Sequence, residues 1–467
     1  MIKELALQKS TDTKRKFYIE TYGCQMNFAD TEVVNAILID QANMLPVDKP
    51  EFADVIFVNT CSIREKAETT VWNRLKQFRQ YKKTNKDLVV GVMGCMAERV
   101  RKKIIEQEKL VDIVVGPDAY RTIPQLISEV DDGHKAVNVL LSMEETYADI
   151  TPVRTTGNGV SAFVSIMRGC DNMCTFCVVP YTRGRERSRP VESIREEVRQ
   201  LVEDGYKEIT LLGQNVNSYI DEGQRLADLM RLVAEEHTEV RFRFSSPHPK
   251  DFPDELLHLI ANTANVCNYV HMPAQSGNTE VLERMKRPYT REEYLALIDK
   301  IRQIIPGVTL STDIISSFCG ETEEQHLDTM SLMQIVGYDM AYMYAYSERE
   351  RTYAHRKYED DVPTEDKKRR LTEIIDQQMS QQVGINEKQI GTRHIVLIEG
   401  HSKRDKRQLS GRTDTNKVVI FDDNGYEIGD YVEVVIERTT SATLFGTALG
   451  KTSIAQFFGV GVVKEKV

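Results

Sequence analysis

Strand-length apolar runs and helix-period stretches alternate along most of this chain, then give way to short strands alone. In the first part, apolar runs at Phe17 to Thr21, Asp54 to Thr60, Leu88 to Met93 and Asp112 to Val115 are separated by segments with helical spacing. Such runs predict strands buried on both faces, and strand–helix alternation predicts a parallel sheet. Residues 131 to 160 are acidic and then rich in Thr, Gly and Asn, as in Asp131-Asp132-Gly133 and Thr155-Thr156-Gly157-Asn158-Gly159, and predict a linker.

A second alternation starts at Ser161. Candidate strands are Ala162 to Met167, Glu208 to Leu212, Arg241 to Ser245, Tyr269 to Met272, Thr309 to Ile315 and Met340 to Tyr346. Val191 to Asp204, Asp254 to Ala261, Thr290 to Ile305 and Thr322 to Val336 between them have helical spacing. Repeated strand–helix units predict a partial (β/α)6 barrel. Polar groups follow its strands: Cys170, then Gln214 and Asn215, Ser245 and Ser246, Gln275, Asp313 and Ser347. The carboxyl rim of a parallel barrel is where chemistry sits. A charged helix from Glu365 to Gln389 precedes short runs at Ile395 to Glu399, Lys417 to Phe421, Tyr431 to Ile436 and Thr443 to Ala448, which predict a small antiparallel barrel of OB-like size. The expected class is therefore α/β, with a parallel-sheet domain, a partial barrel and a small β-barrel.

Composition narrows the setting. A chain of 467 residues exceeds one small core. Its eight cysteines are few and clustered, which favours metal over a disulfide framework and a reducing compartment. Met1 to Lys16 has no apolar targeting core, and no stretch approaches the roughly 18 apolar residues of a membrane span, so a cytoplasmic protein is expected. A net charge of −10 argues against nonspecific coating of nucleic acid but leaves room for local basic patches.

Six cysteines form two groups of three. Cys170, Cys174 and Cys177 lie in one loop as C-x-x-x-C-x-x-C, while Cys24, Cys61 and Cys95 each follow a predicted strand. Three thiolates are one short of closing a four-iron cluster, and the open iron can bind a substrate; structural zinc would want a fourth ligand. Strand ends of an open parallel sheet share one edge, so topology gathers the dispersed trio.

The loop spacing resembles the radical S-adenosylmethionine superfamily. The resemblance narrows with Thr21-Tyr22-Gly23-Cys24-Gln25-Met26-Asn27, Asn59-Thr60-Cys61-Ser62-Ile63-Arg64, Gly94-Cys95-Met96-Ala97 and the run from Arg168 to Arg189, which together look like the methylthiotransferases. It covers nearly the whole chain and implies a methylthiotransferase domain over 15–131 with an auxiliary cluster, a radical core over 156–387 and a TRAM RNA-binding domain over 388–455. It further implies methylthiolation of carbon 2 of N6-isopentenyladenosine at tRNA position 37, with S-adenosylmethionine as methyl donor and radical source. Two [4Fe–4S] clusters are implied: one on Cys170, Cys174 and Cys177, whose open iron chelates the cofactor, and one on Cys24, Cys61 and Cys95, the methylation site and sulfur donor. A tRNA anticodon stem-loop, a flavodoxin- or ferredoxin-type electron donor and a monomeric enzyme complete the expectation. Relatives act on a ribosomal-protein aspartate or on threonylcarbamoyladenosine in tRNA; the wording around Cys24 and Cys61 favours the isopentenyladenosine branch. A nonenzymatic iron–sulfur RNA-binding or redox protein is the alternative of another class.

Candidates for holding the cofactor are Gln214, Asn215, Ser245, Ser246, His248, Gln275 and Asp313, though each alone can be a helix cap or turn residue. Phe176 and Tyr181 can pack on an adenine or on the core. Arg183, Arg185, Arg187 and Arg189 alternate, and in an extended strand they would share one cationic face for phosphate or RNA-substrate contact, a solvated surface being the alternative. His401, Lys403, Arg404, Lys406, Arg407 and Arg412 make a second basic strip on the small barrel, suited to an RNA backbone. Cys267 reads as a small apolar side chain; Cys319 lies nearer the rim. Ser317 and Cys319 stand where the family's Thr-Asp-Ile-Ile-x-Gly-Phe-Pro-Gly-Glu pattern has glycine and proline. The string Ser347 to Thr352, with Glu350, departs from its Ser-x-Arg-x-Gly-Thr turn.

Overall fold

A computed structural model describes residues 14–62, 65–101, 103–155, 157–250 and 252–459, so Ile63 and Arg64 of the motif after Cys61, Thr156 of the predicted linker and most of the N-terminal segment lie outside it. The chain forms two compact units, 1–142 with 150–155 and 143–149 with 156–467.

The first unit holds one parallel sheet of β1 (Lys16–Thr21), β2 (Leu45–Pro46), β3 (Val55–Asn59), β4 (Val89–Met93), β5 (Ile113–Val115) and β6 (Ala136–Asn138), in the order β2-β1-β3-β4-β5-β6. Every residue of β3, β4 and β5 is buried, as their apolar runs require. Gly91 on β4 is dictated by packing, because a Cβ there would lie 2.3 Å from the Phe57 ring of β3. β6 corrects the expected linker: Ala136 pairs with Ile113, and this short strand extends the sheet. Residues 150–155 also return to this unit, where Val153 N donates to Glu32 O at 3.0 Å and Arg154 pairs with Glu32 at 3.3 Å.

The second unit carries β7 (Ser161–Ser165), β8 (Glu208–Leu212), β9 (Arg241–Phe244), β10 (Tyr269–His271), β11 (Thr309–Ser316) and β12 (Met340–Ala345). These form two parallel three-stranded sheets, β9-β8-β7 and β10-β11-β12. Parallel bridges Phe242↔Val266 and Gln275↔Ile314 continue the hydrogen bonding around the curve. Period-2 patterning sorts the faces: Ile209, Leu211, Phe242 and Phe244 enter the apolar core, while Glu208, Arg241 and Arg243 take the other side. Capping boxes at Thr290 with Glu293 and at Thr322 with Gln325 start the helices Arg291–Ile304 and Glu323–Val336.

After the helix Thr364–Glu387 comes a closed barrel, β13 (Arg393–His401), β14 (Gln408–Thr413), β15 (Val418–Asp422), β16 (Tyr431–Thr439) and β17 (Leu444–Lys451), ordered β13-β14-β15-β17-β16. β14 was not expected: Gln-Leu-Ser-Gly-Arg-Thr has one large apolar residue to announce it. Its Gly411 is needed, since a Cβ would stand 2.2 Å from Leu397 O. The barrel is fastened to the amino-terminal ends of the parallel strands. Arg241 donates to Arg412 O at 2.7 Å and Ile395 O at 2.6 Å, and Arg243 to Asp414 O at 2.8 Å and Thr413 O at 2.7 Å. Both guanidiniums are buried, and Arg243 also pairs with Glu208 at 3.0 Å.

Candidate functional site

In the first unit β1, β3 and β4 are neighbours, and the register Thr21↔Asn59 and Asn59↔Met93 brings their carboxyl ends level. Cys24 caps the helix Gln25–Ala36, Cys61 lies just past β3, and Cys95 opens the helix Cys95–Val100 after β4. Their turns interlock: a Cβ on Gly23, at φ +115°, would lie 2.4 Å from Cys61 Cβ, and one on Gly94, at φ +89°, 2.3 Å from Asn59 Oδ1. Two buried asparagines staple the turns. Asn27 Nδ2 donates to Asn59 Oδ1 at 3.0 Å, Asn59 Nδ2 to Asn27 O at 2.7 Å, and Cys24 N and Sγ donate to Asn27 Oδ1 at 3.3 and 3.2 Å. Sequence reasoning quoted Asn27 and Asn59 within motifs but gave them no role. Their signal was two asparagines at strand ends beside glycine-bearing turns.

In the second unit, Met167–Arg168 pairs with Arg187–Ser188 in a two-stranded ribbon that pinches the base of the cysteine loop. Gly169 must be glycine: at φ +80°, its Cβ would sit 1.9 Å from Arg185 O. The loop is tied by Gly169 N to Gln214 Oε1 at 2.5 Å, Cys170 N to Gly184 O at 3.2 Å, Thr175 N to Met285 O at 3.0 Å and Thr175 Oγ1 to Arg284 O at 2.8 Å. Burial pushes the Cys170 thiol up to about 11, helped by neighbouring Cys174; burial, then Cys174, also raises Cys177. Thiols this close and desolvated become thiolates only beside a cation. Among the described residues no three His, Cys, Asp or Glu side chains converge on a single ion. A cubane would not ask for that convergence, since each thiolate would bind a different iron.

The rim around this loop presents unsatisfied buried polar atoms. Gln214 Nε2, Asn215 Oδ1 and His248 Nε2 have no protein partner, which is the donor and acceptor complement that an amino-acid cofactor needs. Asn215 Nδ2 is held by Glu186 at 2.9 Å, and His248 Nδ1 accepts from Lys250 N at 3.1 Å. Burial, then Arg287 and Lys250, hold His248 down at about 3, hence neutral. Ser245 and Ser246 bond each other at 3.3 Å; Ser246 and Gln275 hold φ +62° and +69°. Asp313 goes elsewhere: it pairs with His271 Nε2 at 3.3 Å, and His271 Nδ1 meets Ser311 Oγ at 2.8 Å, which in turn meets Tyr269 Oη at 2.6 Å. Also missed was Arg287, buried, with Nη1 3.4 Å from Cys174 Sγ; among the charged neighbours Glu283, Arg284, Lys286 and Arg291 nothing local marks it.

The four-arginine strip requires correction. Arg183 ends the helix Val179–Arg183 and Gly184 turns at φ +71°, so the residues do not alternate on one strand. Arg183, Arg187 and Arg189 are buried, and Arg189 pairs with Glu197 at 2.5 Å; Arg185 is exposed, beside Asp171 at 3.0 Å. On the small barrel, Lys403, Arg404, Lys406 and Arg407 share the exposed turn after His401, with Arg407 near Asp405 at 2.7 Å, whereas Arg412 turns to Glu399 at 3.3 Å. Phe176 meets Phe318 edge-on at 6.5 Å, and Tyr181 Oη accepts from Arg356 at 3.1 Å. Cys267 is buried, its thiol pushed up to about 11 by burial; Cys319 is buried against the Tyr346 hydroxyl. Ser317 holds φ +61° and Arg351 φ +78°, left-handed conformations at the two positions where the family pattern has glycine, so the second departure falls on Arg351 rather than Glu350.

Residues 16–116 match Uncharacterized protein family UPF0004, 164–333 the Radical SAM superfamily and 387–449 the TRAM domain. The chain is 51% identical over 464 residues to the tRNA-2-methylthio-N(6)-dimethylallyladenosine synthase of Christiangramia forsetii, covering 96% of each. It is 53% identical to the enzyme of that name from Bacteroides fragilis, covering 94% of this chain and 96% of the relative. It is 48% identical to the mitochondrial tRNA methylthiotransferase of Rattus norvegicus, covering 94% of this chain and 82% of the relative. Among solved structures, the radical S-adenosylmethionine methyltransferase TsrM of Kitasatospora setae, with cobalamin and a [4Fe-4S] cluster bound, aligns over 71% of this chain and 75% of its own with a TM-score of 0.54 at 15% identity, which is a likeness of fold.

Proposed function

This chain belongs to the tRNA-2-methylthio-N(6)-dimethylallyladenosine synthases, and on that premise we propose that it adds a methylthio group to carbon 2 of N6-isopentenyladenosine at tRNA position 37, with its two cysteine triads in separate roles. It is a radical S-adenosylmethionine tRNA methylthiotransferase. When bound, S-adenosylmethionine and two [4Fe–4S] clusters supply the methyl group, the sulfur and the one-electron route that an unactivated aromatic C–H carbon requires.

The chain's own residues hold and orient those groups. Cys170, Cys174 and Cys177 bind one cluster, on a loop fixed by Gly169, Gln214 and Thr175. The orphaned atoms of Gln214, Asn215 and His248 take the polar ends of the cofactor, with Ser245, Ser246 and Gln275 shaping the rim. His248 serves as a neutral Nε2–H donor, because its Nδ1 already accepts from Lys250 N. Asp313, engaged by His271, lines the barrel rather than gripping the cofactor. Cys24, Cys61 and Cys95 bind the second cluster, their turns set by the Asn27–Asn59 pair. The exposed turn with Lys403, Arg404, Lys406 and Arg407 contacts the tRNA backbone, and the target base is presented splayed from the anticodon loop. We include a flavodoxin- or ferredoxin-type electron donor and a monomeric, cytoplasmic enzyme; among the described residues no helix is long and apolar enough to cross a membrane.

The observation that carries the proposal is the level edge of β1, β3 and β4, which gathers the turns of three cysteines far apart in sequence. The test is anaerobic reconstitution with iron and sulfide, then incubation with S-adenosylmethionine, reductant and isopentenylated tRNA. A 2-methylthio nucleoside in the digested tRNA by mass spectrometry is expected. Cofactor cleavage without that product sinks the substrate assignment.

A further inference from the structure

Arg287 stands out among the charged groups that the proposed chemistry leaves without a task. It is 7% exposed, and its donors are spread over three acceptors: Nη1 to Cys174 Sγ at 3.4 Å, Nη2 to Pro273 O at 3.2 Å and Nε to Tyr289 Oη at 2.8 Å. Tyr289 Oη lies 3.1 Å from both Pro273 O and Ala274 O, anchoring that hydroxyl to the segment after β10, and its ring centroid is 5.2 Å from the guanidinium carbon. His248, edge-on to Tyr289 at 6.0 Å, closes the other side and is neutral. Among the described residues no carboxylate pairs with Arg287; the titratable groups that face it are Cys174, Cys177, Tyr289 and His248. A buried cation without a carboxylate partner is expensive to keep, and its natural counter-charge here is a thiolate. Only a planar fork reaches three acceptors in fixed directions, which an ammonium does not do.

We propose that Arg287 is a positioning and tuning residue for the cluster held by Cys170, Cys174 and Cys177: it aims a fixed cation and an N–H donor at the Cys174 sulfur and so raises the cluster's reduction potential. The inference rests on the assignment of that loop as a cluster site. Reduction adds one electron, from the donor protein, and one negative charge spread over iron and sulfur. A buried guanidinium beside a ligand sulfur stabilises the more negative state over the less negative one, and hydrogen bonds to sulfur act in the same sense. Because the same fork grips Pro273 O and Tyr289, the charge cannot swing away to solvent.

The test uses the full chain with Cys24, Cys61 and Cys95 replaced by Ala, so that one cluster remains, reconstituted and titrated potentiometrically by electron paramagnetic resonance. Arg287→Met is expected to keep its iron and to lower the midpoint by at least a tenfold change in the reduction equilibrium, about 59 mV for one electron. Arg287→Lys should fall between. An unchanged midpoint in an iron-replete Arg287→Met chain overturns the inference. Where Arg287→Met binds no iron, Arg287→Lys and Tyr289→Phe, which keep the charge but loosen its aim, take its place: a lowered midpoint in either supports the role, and parental midpoints in both overturn it. A parent chain that binds no iron overturns the cluster assignment itself, and this inference with it.

Discussion

Cys170, Cys174 and Cys177 share one loop, whereas Cys24, Cys61 and Cys95 are delivered by three strands of a different unit. The loop triad depends on local closure: a ribbon pinched at Gly169 and side-chain ties to its flanks. The strand triad depends on sheet register, since a slip of one residue would move a cysteine turn along the edge and also flip the buried face of a strand. Three thiols can thus be gathered by chain proximity or by topology, and the two ways fail differently.

The largest separation is expected from the cysteines themselves. Cys174→Ala should abolish cofactor cleavage, and with it everything downstream. Cys61→Ala should leave cleavage partly intact while stopping sulfur insertion. Counting 5′-deoxyadenosine and 2-methylthio nucleoside in the same reaction distinguishes these outcomes, and equal loss of both by Cys61→Ala would falsify the division of labour.

Two glycines probe how each triad is held. Gly169→Ala places a Cβ 1.9 Å from a backbone oxygen, and Gly23→Ala places one 2.4 Å from Cys61 Cβ, each at a positive φ that alone costs about 1–3 kcal/mol. Each should lower iron content by the share of its own triad. Gly23→Ala is expected to retain cofactor cleavage and Gly169→Ala to lose it, as read by iron analysis beside the cleavage assay.

Much of this was legible in the sequence. The strands that carry cysteines announce themselves as apolar runs, and β8 spans Glu208–Leu212 as expected, because burial on one or both faces writes itself into composition. β6 and β14 were not legible: three residues, or one large apolar residue among small and polar ones, carry too little pattern, and both exist because a neighbouring strand offers its edge. The arginines after the cysteine loop misled for a related reason. Alternation predicts a strand, but Gly184 breaks it, and three of the four guanidiniums are buried, Arg189 against Glu197. Arg287 was hidden because its partner lies 113 positions away.

That burial gives the next test. Glu197→Ala leaves Arg189 as a buried charge without its carboxylate and should cost about 3–5 kcal/mol, whereas Asp171→Ala at the exposed Arg185 should cost under about 1 kcal/mol. Thermal unfolding of both variants measures the contrast. Similar losses would mean that the ribbon beside the loop triad is held by its ends rather than by the buried pair.

The effect that accrues most gradually is a pH slope belonging to the loop triad's surroundings. Burial, then the charges of Arg287 and Lys250, hold His248 at about 3 in the folded chain, against roughly 6.5 when unfolded. Between these values the unfolded chain takes up a proton that the folded one refuses. The contribution is therefore fully present above about pH 6.5 and is lost as pH falls toward 3, at up to about 1.4 kcal/mol per pH unit. Carboxylates titrate in the same window, but they are common to the parent and to His248→Asn, so the difference between the two denaturation curves isolates the imidazole. The asparagine variant should show the shallower loss between pH 6 and 4, and parallel curves would mean that the ring is protonated in place, which its packing between Arg287 and Tyr289 opposes.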